Sequence, residues 1–289
     1  MLDWMSTPEK ITVGTLAAAK RAGRKFSVLT CYDAAFARLM AASGVEVLLV
    51  GDTAGEVVLG LSSTRDVPAE FLLGITAAVR RAAPGAFVMA DLPWFYRQED
   101  VTGTVAGCGR FVRETQADAV KVEVTGKDAA LVSAIRASGI PVVAHLGLLP
   151  QWITGREGYR AFGRDAKEAA QLIEDAARLE AAGASLLLLE AVASEVAGEI
   201  TARASVPVIG CVSGPRCDGT VVVLHDMLGL GGGHRPRAVK QYLDLSAVLS
   251  KAFRDYVDDI HAGRFPVEAD AIHMRPGELE KLSAPAGGR

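Results

Sequence analysis

Charged side chains stand at the ends of short apolar runs along this sequence. LLVGD ends at Asp52, FVMAD at Asp91, VKVE at Glu123, VVAH at His145 and LLLLE at Glu190. Carboxylate oxygens are the ligands that a hard divalent ion such as Mg²⁺ prefers, and a carboxylate kept off the ion can accept a proton. If the ends of these runs meet in space, they predict a metal site beside a general base.

The apolar runs are short and rich in branched residues, which is typical of parallel strands buried on both faces. They lie at 26–30, 45–50, 86–90, 117–122, 140–144, 184–189 and 206–209. Helix-like segments follow several of them, at 33–44, 127–139, 165–183 and 195–205. Three of these segments close on Gly44, Gly139 and Gly183, as left-handed helix ends do. Seven or eight such units predict a (β/α)8 TIM barrel, with a doubly wound open sheet as the alternative.

In a barrel, the carboxyl ends of the strands open into one mouth, where four carboxylates and a histidine would converge. Clustered carboxylates repel one another, and a divalent cation relieves that repulsion. The alternative for any one acid is a structural ion pair with Lys121, Arg156 or Arg164. Lys121 alternates with Glu123 in one run, so both side chains face the same side. A lysine there suits a substrate with a carboxylate, or else only neutralises its neighbour.

The chain has 289 residues, of which 50% are hydrophobic, so it can bury a large core. No linker divides it, and we expect a single domain over 1–289. The barrel core would occupy about 9–236, additional C-terminal helices about 237–268, and a polar tail 269–289. The last nine residues, KLSAPAGGR, should be disordered.

Composition excludes several classes of protein. The net charge of −3 comes from 31 basic and 34 acidic residues spread along the chain, which offers no basic stripe for nucleic acid. No run reaches the roughly 18 apolar residues of a membrane span, and the first residues do not resemble a signal peptide, so we expect a cytoplasmic protein. The four cysteines have no zinc or disulfide spacing and should be reduced thiols, namely Cys31, Cys108, Cys211 and Cys217.

Several sequence blocks together resemble the ketopantoate hydroxymethyltransferase family over about residues 9–268. The blocks, in the order and spacing of that family, are LTCYDAAFARLM, LLVGDTAG, TAAVRRAAP, ADLPW, VKVE, AHLGLLPQ, LLLLE, PVIG and HDMLGLGGGHRPRAVKQY. The resemblance implies a (β/α)8 barrel of the phosphoenolpyruvate mutase and isocitrate lyase superfamily. It also implies a homo-oligomer, a decamer. The composition already excludes membrane and nucleic acid as partners.

The chemistry implied by the resemblance is transfer of a one-carbon unit from methylenetetrahydrofolate to 3-methyl-2-oxobutanoate (α-ketoisovalerate), in pantothenate and coenzyme A biosynthesis. An α-oxo acid chelates a divalent ion such as Mg²⁺ through its carboxylate and keto oxygens, and the ion stabilises the enolate. The family motifs place the metal at Asp52, Asp91 and Glu123, and the proton acceptor at Glu190. They place the oxo acid beside Asp52, Thr53, Asp91 and Lys121, and we add His145 as a further substrate-binding residue.

His145 would orient a ligand or donate a hydrogen bond, with a structural histidine as the alternative. A single histidine without a serine or cysteine nucleophile motif gives no support for a catalytic triad.

The sequence departs from the family in the loops around the mouth. Thr53 replaces the usual serine, and Phe162 replaces a glutamine. The usual GxDSTLPVT loop reads GLSSTRDVP at 60–68, the following YHT reads GIT at 74–76, and GIGAG reads GCVSG at 210–214. Sequence drift explains these changes, or else the chain is a specialised paralogue that acts on a different 2-oxo acid or one-carbon donor.

Two further hypotheses are less favoured by the sequence. Lyase or phosphonate chemistry of the same superfamily typically uses a dedicated lid loop, and no KKCGH-type motif occurs. A non-enzymatic oxo-acid binder would give no reason to keep Glu190 beside the three metal carboxylates.

Overall fold

The computed structural model describes residues 9–153, 159–230 and 238–283, and eight parallel strands within them close into a barrel. Each strand pairs with the next along the chain, and the last pairs with the first. The strands are β1 Phe26–Thr30, β2 Val47–Val50, β3 Phe87–Asp91, β4 Ala119–Glu123, β5 Val142–Gly147, β6 Leu186–Glu190, β7 Val208–Cys211 and β8 Gly219–Val222. Closure confirms the predicted barrel, and the open-sheet alternative is wrong.

Helices alternate with the strands around the outside of the barrel. They are α1 Val13–Arg21, α2 Ala34–Ala42, α3 Ala54–Val57, α4 Ala69–Ala82, α5 Val101–Thr115, α6 Ala129–Ala137, α7 Ala166–Ala181, α8 Ser194–Arg203, α9 Leu224–Leu228, α10 Leu245–His261 and α11 Glu278–Ser283. Gly44, Gly139 and Gly183 have φ of +84°, +80° and +102°, so the predicted left-handed helix ends are confirmed. No helix in the described ranges is long and apolar enough to cross a bilayer.

Two layers of apolar side chains form the core. One fills the barrel, where large side chains such as Phe87, Met89 and Leu186 meet. The other lies between the strands and the helices, with Leu48, Phe111 and Leu187 among its fully buried members. Strands β2, β3 and β4 are buried at every position, as their continuous apolar runs predict.

The amino end of the barrel, opposite the mouth, is held by two carboxylates that precede strands. Asp118 accepts hydrogen bonds from Lys10 Nζ and Arg80 Nη1, both at 2.7 Å, and from the amide of Val88. Asp218 accepts in the same way from Lys20 Nζ at 2.8 Å. These ion pairs join the N-terminal segment and α4 to the strand ends.

The structure differs from the predicted elements at four places. Residues 74–76, predicted to lie in a loop, belong to α4. Strand β8 was not predicted, because GTVV is short and follows a loop rich in small residues. The helix predicted from residue 237 begins only at Leu245, where Asp244 caps it by accepting from the amide of Ala247. The predicted disorder at 281–289 is wrong at 281–283, which end α11, and 284–289 lie outside the described residues.

The outer wall formed by β1 and β8 is less covered than the rest of the barrel. Ser27 and Thr220 are paired neighbours on these strands, point outward and are exposed. The long helix α10 has no buried residue, although Leu249, Phe253, Tyr256 and Ile260 form an apolar stripe along it. Phe253 is 64% exposed and Tyr256 59%.

Candidate active site

The mouth of the barrel brings every sequence-predicted site residue together. A single cavity with an empty volume of about 530 Å³, part of it open to solvent, is lined by residues from most strands. Strand pairing places Asp91 beside Lys121 and Glu123 beside His145. The predicted residues that line the cavity are Asp52, Thr53, Asp91, Lys121, Glu123, His145 and Glu190.

Asp91 and Lys121 form a buried ion pair at the floor of the cavity. Lys121 Nζ lies 2.8 Å from Asp91 Oδ2, and both side chains are almost fully buried. Asp91 Oδ2 also accepts from the amide of Asp52 at 3.1 Å, whereas Oδ1 is buried without a hydrogen-bond partner. The alternative of an ion pair with lysine therefore holds for Asp91, but one of its oxygens remains available.

Burial dominates the electrostatics of the floor, and the attraction of Lys121 opposes its effect on the carboxyl groups. Burial raises the pKa of Asp91, with Asp52 adding to the rise and Lys121 opposing it. Burial likewise raises the pKa of Glu123 well above its usual range, against the effect of Lys121. Burial alone would lower the pKa of Lys121, but the charges of the three carboxylates outweigh it and raise that pKa. When the three carboxylates are ionised, one lysine offsets only part of their negative charge, and a bound cation would stabilise the rest.

Gln151, which the sequence reasoning missed, contacts two of the carboxylates. It lies in a 3₁₀ helix after β5 and is fully buried. Its Nε2 donates to Asp52 Oδ2 at 2.9 Å, and its backbone amide donates to Glu123 Oε2 at 3.2 Å. The only sequence signal was its place in the AHLGLLPQ block, because a glutamine neither titrates nor ends a strand.

His145 lies between the floor and Glu190. Its Nδ1 is 3.4 Å from Lys121 Nζ, and its Nε2 is 3.3 Å from Glu190 Oε2 without a well-aligned hydrogen bond. Burial, followed by the charge of Lys121, lowers the pKa of His145 and favours the neutral ring. Since an ammonium can only donate, Nδ1 is the acceptor and the proton is on Nε2, facing Glu190.

The donor set fits a hard divalent cation. Across the described ranges no three His, Cys, Asp or Glu side chains form a group already arranged to hold a metal ion. Asp52, Asp91 and Glu123 nevertheless bring carboxylate oxygens to the same cavity, and Asp91 Oδ1 is buried without a hydrogen-bond partner. Oxygen ligands with an excess of negative charge suit Mg²⁺ or a similar ion.

Two arginines were also considered as ion-pair partners of the carboxylates. Arg164 is exposed, and Arg156 lies outside the described residues. The four cysteines are free thiols, as predicted, and Cys211 lines the cavity beside Glu190.

Aromatic and guanidinium groups form a rim beside the floor. Arg65 covers the ring of Trp94 at 4.3 Å, and Trp94 meets Trp152 edge-on with ring centroids 4.6 Å apart. Trp152 follows Gln151 directly and is 47% exposed. Arg65 belongs to the altered loop 60–68, so this contact gives that departure a structural role.

The turns that carry Glu190 are closely packed. Gly147 has φ +93°, and a Cβ at that position would lie 2.3 Å from the carbonyl oxygen of Glu190. Ser213, in the altered loop 210–214, joins the neighbouring turn, because its Oγ accepts from the amide of Val192 at 3.1 Å and lies 2.8 Å from Leu189 O. Glu190 is therefore fixed by backbone contacts on both sides.

Val212 occupies a strained position in the same loop. Its φ is +51°, a region that branched residues rarely adopt, and its side chain is 39% exposed. Val212→Gly should raise the free energy of unfolding by about 1 kcal/mol, the lower end of the usual strain. Chemical denaturation measures this. Val58→Gly is the control, since Val58 is exposed at φ −109° and its replacement should lower stability; a loss at both positions would contradict the strain.

The sequence of the chain matches a known protein family. The sequence profile of ketopantoate hydroxymethyltransferase matches residues 10–268. The 3-methyl-2-oxobutanoate hydroxymethyltransferase of Hyperthermus butylicus is 43% identical over 278 residues, 96% of each chain. That of Carboxydothermus hydrogenoformans is 40% identical over 274 residues, 95% of this chain and 99% of the relative.

Solved structures with a similar fold are more distant in sequence. A phosphonopyruvate hydrolase complex with oxalate and Mg²⁺ has a TM-score of 0.60 at 12% identity, covering 94% of this chain and 95% of that one. The phosphoenolpyruvate phosphomutase of Streptomyces platensis subsp. rosaceus has a TM-score of 0.59 at 15% identity, covering 94% of each chain. At these identities the likeness shows a shared barrel fold.

Proposed function

The chain belongs to the ketopantoate hydroxymethyltransferase family, and from that premise we propose that its barrel mouth transfers a hydroxymethyl group to 3-methyl-2-oxobutanoate to form ketopantoate. The family implies a step in pantothenate biosynthesis. The observation that carries the proposal is the convergence of three buried carboxylates, a lysine and a fourth carboxylate on one cavity.

A divalent cation would be held by Asp52, Asp91 and Glu123. Mg²⁺ is the ion that these oxygen ligands favour. The cation supplies Lewis-acid polarisation of the oxo acid. The fit rests on the all-oxygen donor set and on the unpartnered Asp91 Oδ1. Lys121, which is buried in the floor, would pair with the carboxylate of the oxo acid. Thr53 lines the same cavity, and its hydroxyl would donate to the oxo acid.

Glu190 would accept the proton from the carbon next to the keto group. It lines the cavity away from the ion pair of the floor, and its side chain is 23% exposed, which leaves it room to reach a substrate. His145 Nε2 lies 3.3 Å from Glu190 Oε2, and a hydrogen bond formed there on substrate binding would orient the carboxylate. Water would release the one-carbon unit as formaldehyde, so that both carbon–nitrogen bonds of the methylene bridge break and the two protons of the water end on the folate nitrogens. The electron pair released at the substrate carbon would form the new carbon–carbon bond with this carbon, and the proton held by Glu190 would go to the resulting alkoxide.

Methylenetetrahydrofolate would be the one-carbon donor. Its planar ring system needs a binding surface near the reacting carbon, and the aromatic rim supports this. Trp152 exposes part of its ring and adjoins Gln151, which contacts the floor. Stacking on an exposed tryptophan is a common way to bind a planar ring.

The test is product formation by the purified protein with Mg²⁺, methylenetetrahydrofolate and a panel of 2-oxo acids. We expect ketopantoate from 3-methyl-2-oxobutanoate, and no product after removal of the cation. Failure to form product in metal-loaded protein would contradict the assignment. The altered loops favour one second candidate, a specialised paralogue, which predicts preference for a different 2-oxo acid in the same panel.

A homo-oligomer, and by family resemblance a decamer, is also proposed. The apolar stripe of α10 is exposed, while Ser27 and Thr220 leave the outer wall of β1 and β8 open, so the stripe suits a second copy of the chain. A cytoplasmic location is supported by the four free cysteines.

Phe253→Glu should dissociate the oligomer, because it puts a charge in the centre of the apolar stripe of α10. Sedimentation velocity would show a smaller species than the unsubstituted protein. Ser250→Glu, at an exposed polar position of the same helix, is the control and should leave the assembly unchanged. Sedimentation of the Phe253→Glu variant at the rate of the unsubstituted protein would contradict a role for the stripe.

A further inference from the structure

Gln151 joins three successive strand ends at the floor of the mouth. Its Nε2 donates to Asp52 Oδ2, after β2, and to the carbonyl oxygen of Leu92, after β3, at 2.9 and 3.0 Å. Its backbone amide donates to both oxygens of Glu123, at the end of β4, at 3.2 and 3.3 Å. One residue thus holds two carboxylates that come from strands on either side of β3.

The orientation of the Gln151 amide is fixed by its partners. Asp52 Oδ2 and Leu92 O are both acceptors, so the nitrogen must face them and the amide cannot be flipped without placing oxygen against oxygen. Its Oε1 is buried with no hydrogen-bond partner. The Nε2 of Gln151 is therefore fixed by two acceptors. Its Oε1 remains free to accept a hydrogen bond from a water molecule or a ligand.

Gln151 and Lys121 have different effects on the negative charge of the carboxylates that they contact. Lys121 pairs with Asp91 as a cation and so compensates part of its charge. A neutral amide orients a carboxylate by hydrogen bonding while leaving its negative charge for another cation. Asp52 and Glu123 are thus held in place by Gln151 without losing their attraction for a metal ion.

We propose that Gln151 is a positioning residue of the metal centre, which holds Asp52 and Glu123 at the spacing a divalent cation requires. This inference rests on the proposed metal use at the mouth. Supporting groups of this kind typically contribute about 10- to 100-fold to metal affinity.

The probe is Mn²⁺ alone, titrated into the full chain and followed by electron paramagnetic resonance, without substrate. Gln151→Met keeps the length of the side chain and the backbone bond to Glu123 but removes the bond to Asp52. We expect it to weaken Mn²⁺ binding about 10- to 100-fold and to change the spectrum of the bound ion. Gln171→Met is the matched control, since Gln171 donates to Asp175 on the exposed face of α7.

Wild-type affinity together with an unchanged spectrum would overturn the proposal, even if the melting temperature fell, since a purely structural role would lower only stability. If Gln151→Met does not fold, Gln151→Asn decides in its place, because it keeps the amide but withdraws it by one methylene. Absence of Mn²⁺ binding by the unsubstituted protein would overturn the metal site itself, and the inference with it. The Mn²⁺ titration of the unsubstituted protein gives this result before any variant is made.

Discussion

Glu190→Gln should reduce exchange of the substrate's C3 proton by about 10²- to 10⁴-fold, the usual contribution of a positioned general base. The amide has nearly the shape of the carboxylate but cannot take up a proton. It should leave Mn²⁺ affinity unchanged, because Glu190 lies away from the ion pair of the floor. Nuclear magnetic resonance of 3-methyl-2-oxobutanoate in deuterated water measures the exchange.

The control for this variant is Glu195→Gln, on the exposed first turn of α8, which should exchange at the wild-type rate. Exchange at that rate in Glu190→Gln would show that another group is the base.

Asp91→Ala should weaken Mn²⁺ binding by about 100-fold or more, since groups that only support ligands already contribute about 10- to 100-fold. The substitution removes the carboxylate with the unpartnered Oδ1 and leaves Lys121 buried without its partner at 2.8 Å. The unpaired ammonium then repels the cation as well. Titration of Mn²⁺ measures the change, with thermal unfolding recorded alongside.

Loss of the buried ion pair also costs stability, about 3–5 kcal/mol for such pairs, so a second variant is needed. Asp91→Asn keeps the shape and should also lose affinity. Asp255→Ala, which removes an exposed partner of Lys251 on α10, is the control for a lost aspartate. An unchanged metal titration in both Asp91 variants would reject Asp91 as a ligand.

The barrel and the members of the site were predictable because each depends on a periodic signal. Runs such as VLLV and FVMAD are continuous only where both faces of a strand are buried, so the residue after each run marks the mouth. Asp52, Asp91, Glu123, His145 and Glu190 follow from that rule, and all five line the cavity.

The parts that were missed depend on contacts with no sequence period. Gln151 acts through a side chain in a short 3₁₀ helix, and its partners come from β2, β3 and β4. Helix α10 carries the predicted amphipathic pattern, but the pattern does not tell whether its apolar stripe meets the barrel or another molecule. The proton position on His145 follows from the distance to Lys121, which only the fold supplies.

The ion pairs at the amino end of the barrel have a consequence for how this protein can change. Asp118 and Asp218, with Lys10, Arg80 and Lys20, fasten the strands at the end opposite the mouth. Loops 60–68 and 210–214 contribute nothing to those bonds, and neither do residues 74–76 within α4. Substitutions in these loops can therefore change the substrate without removing the ion pairs that hold the strands. This makes the barrel a suitable starting point for directed evolution.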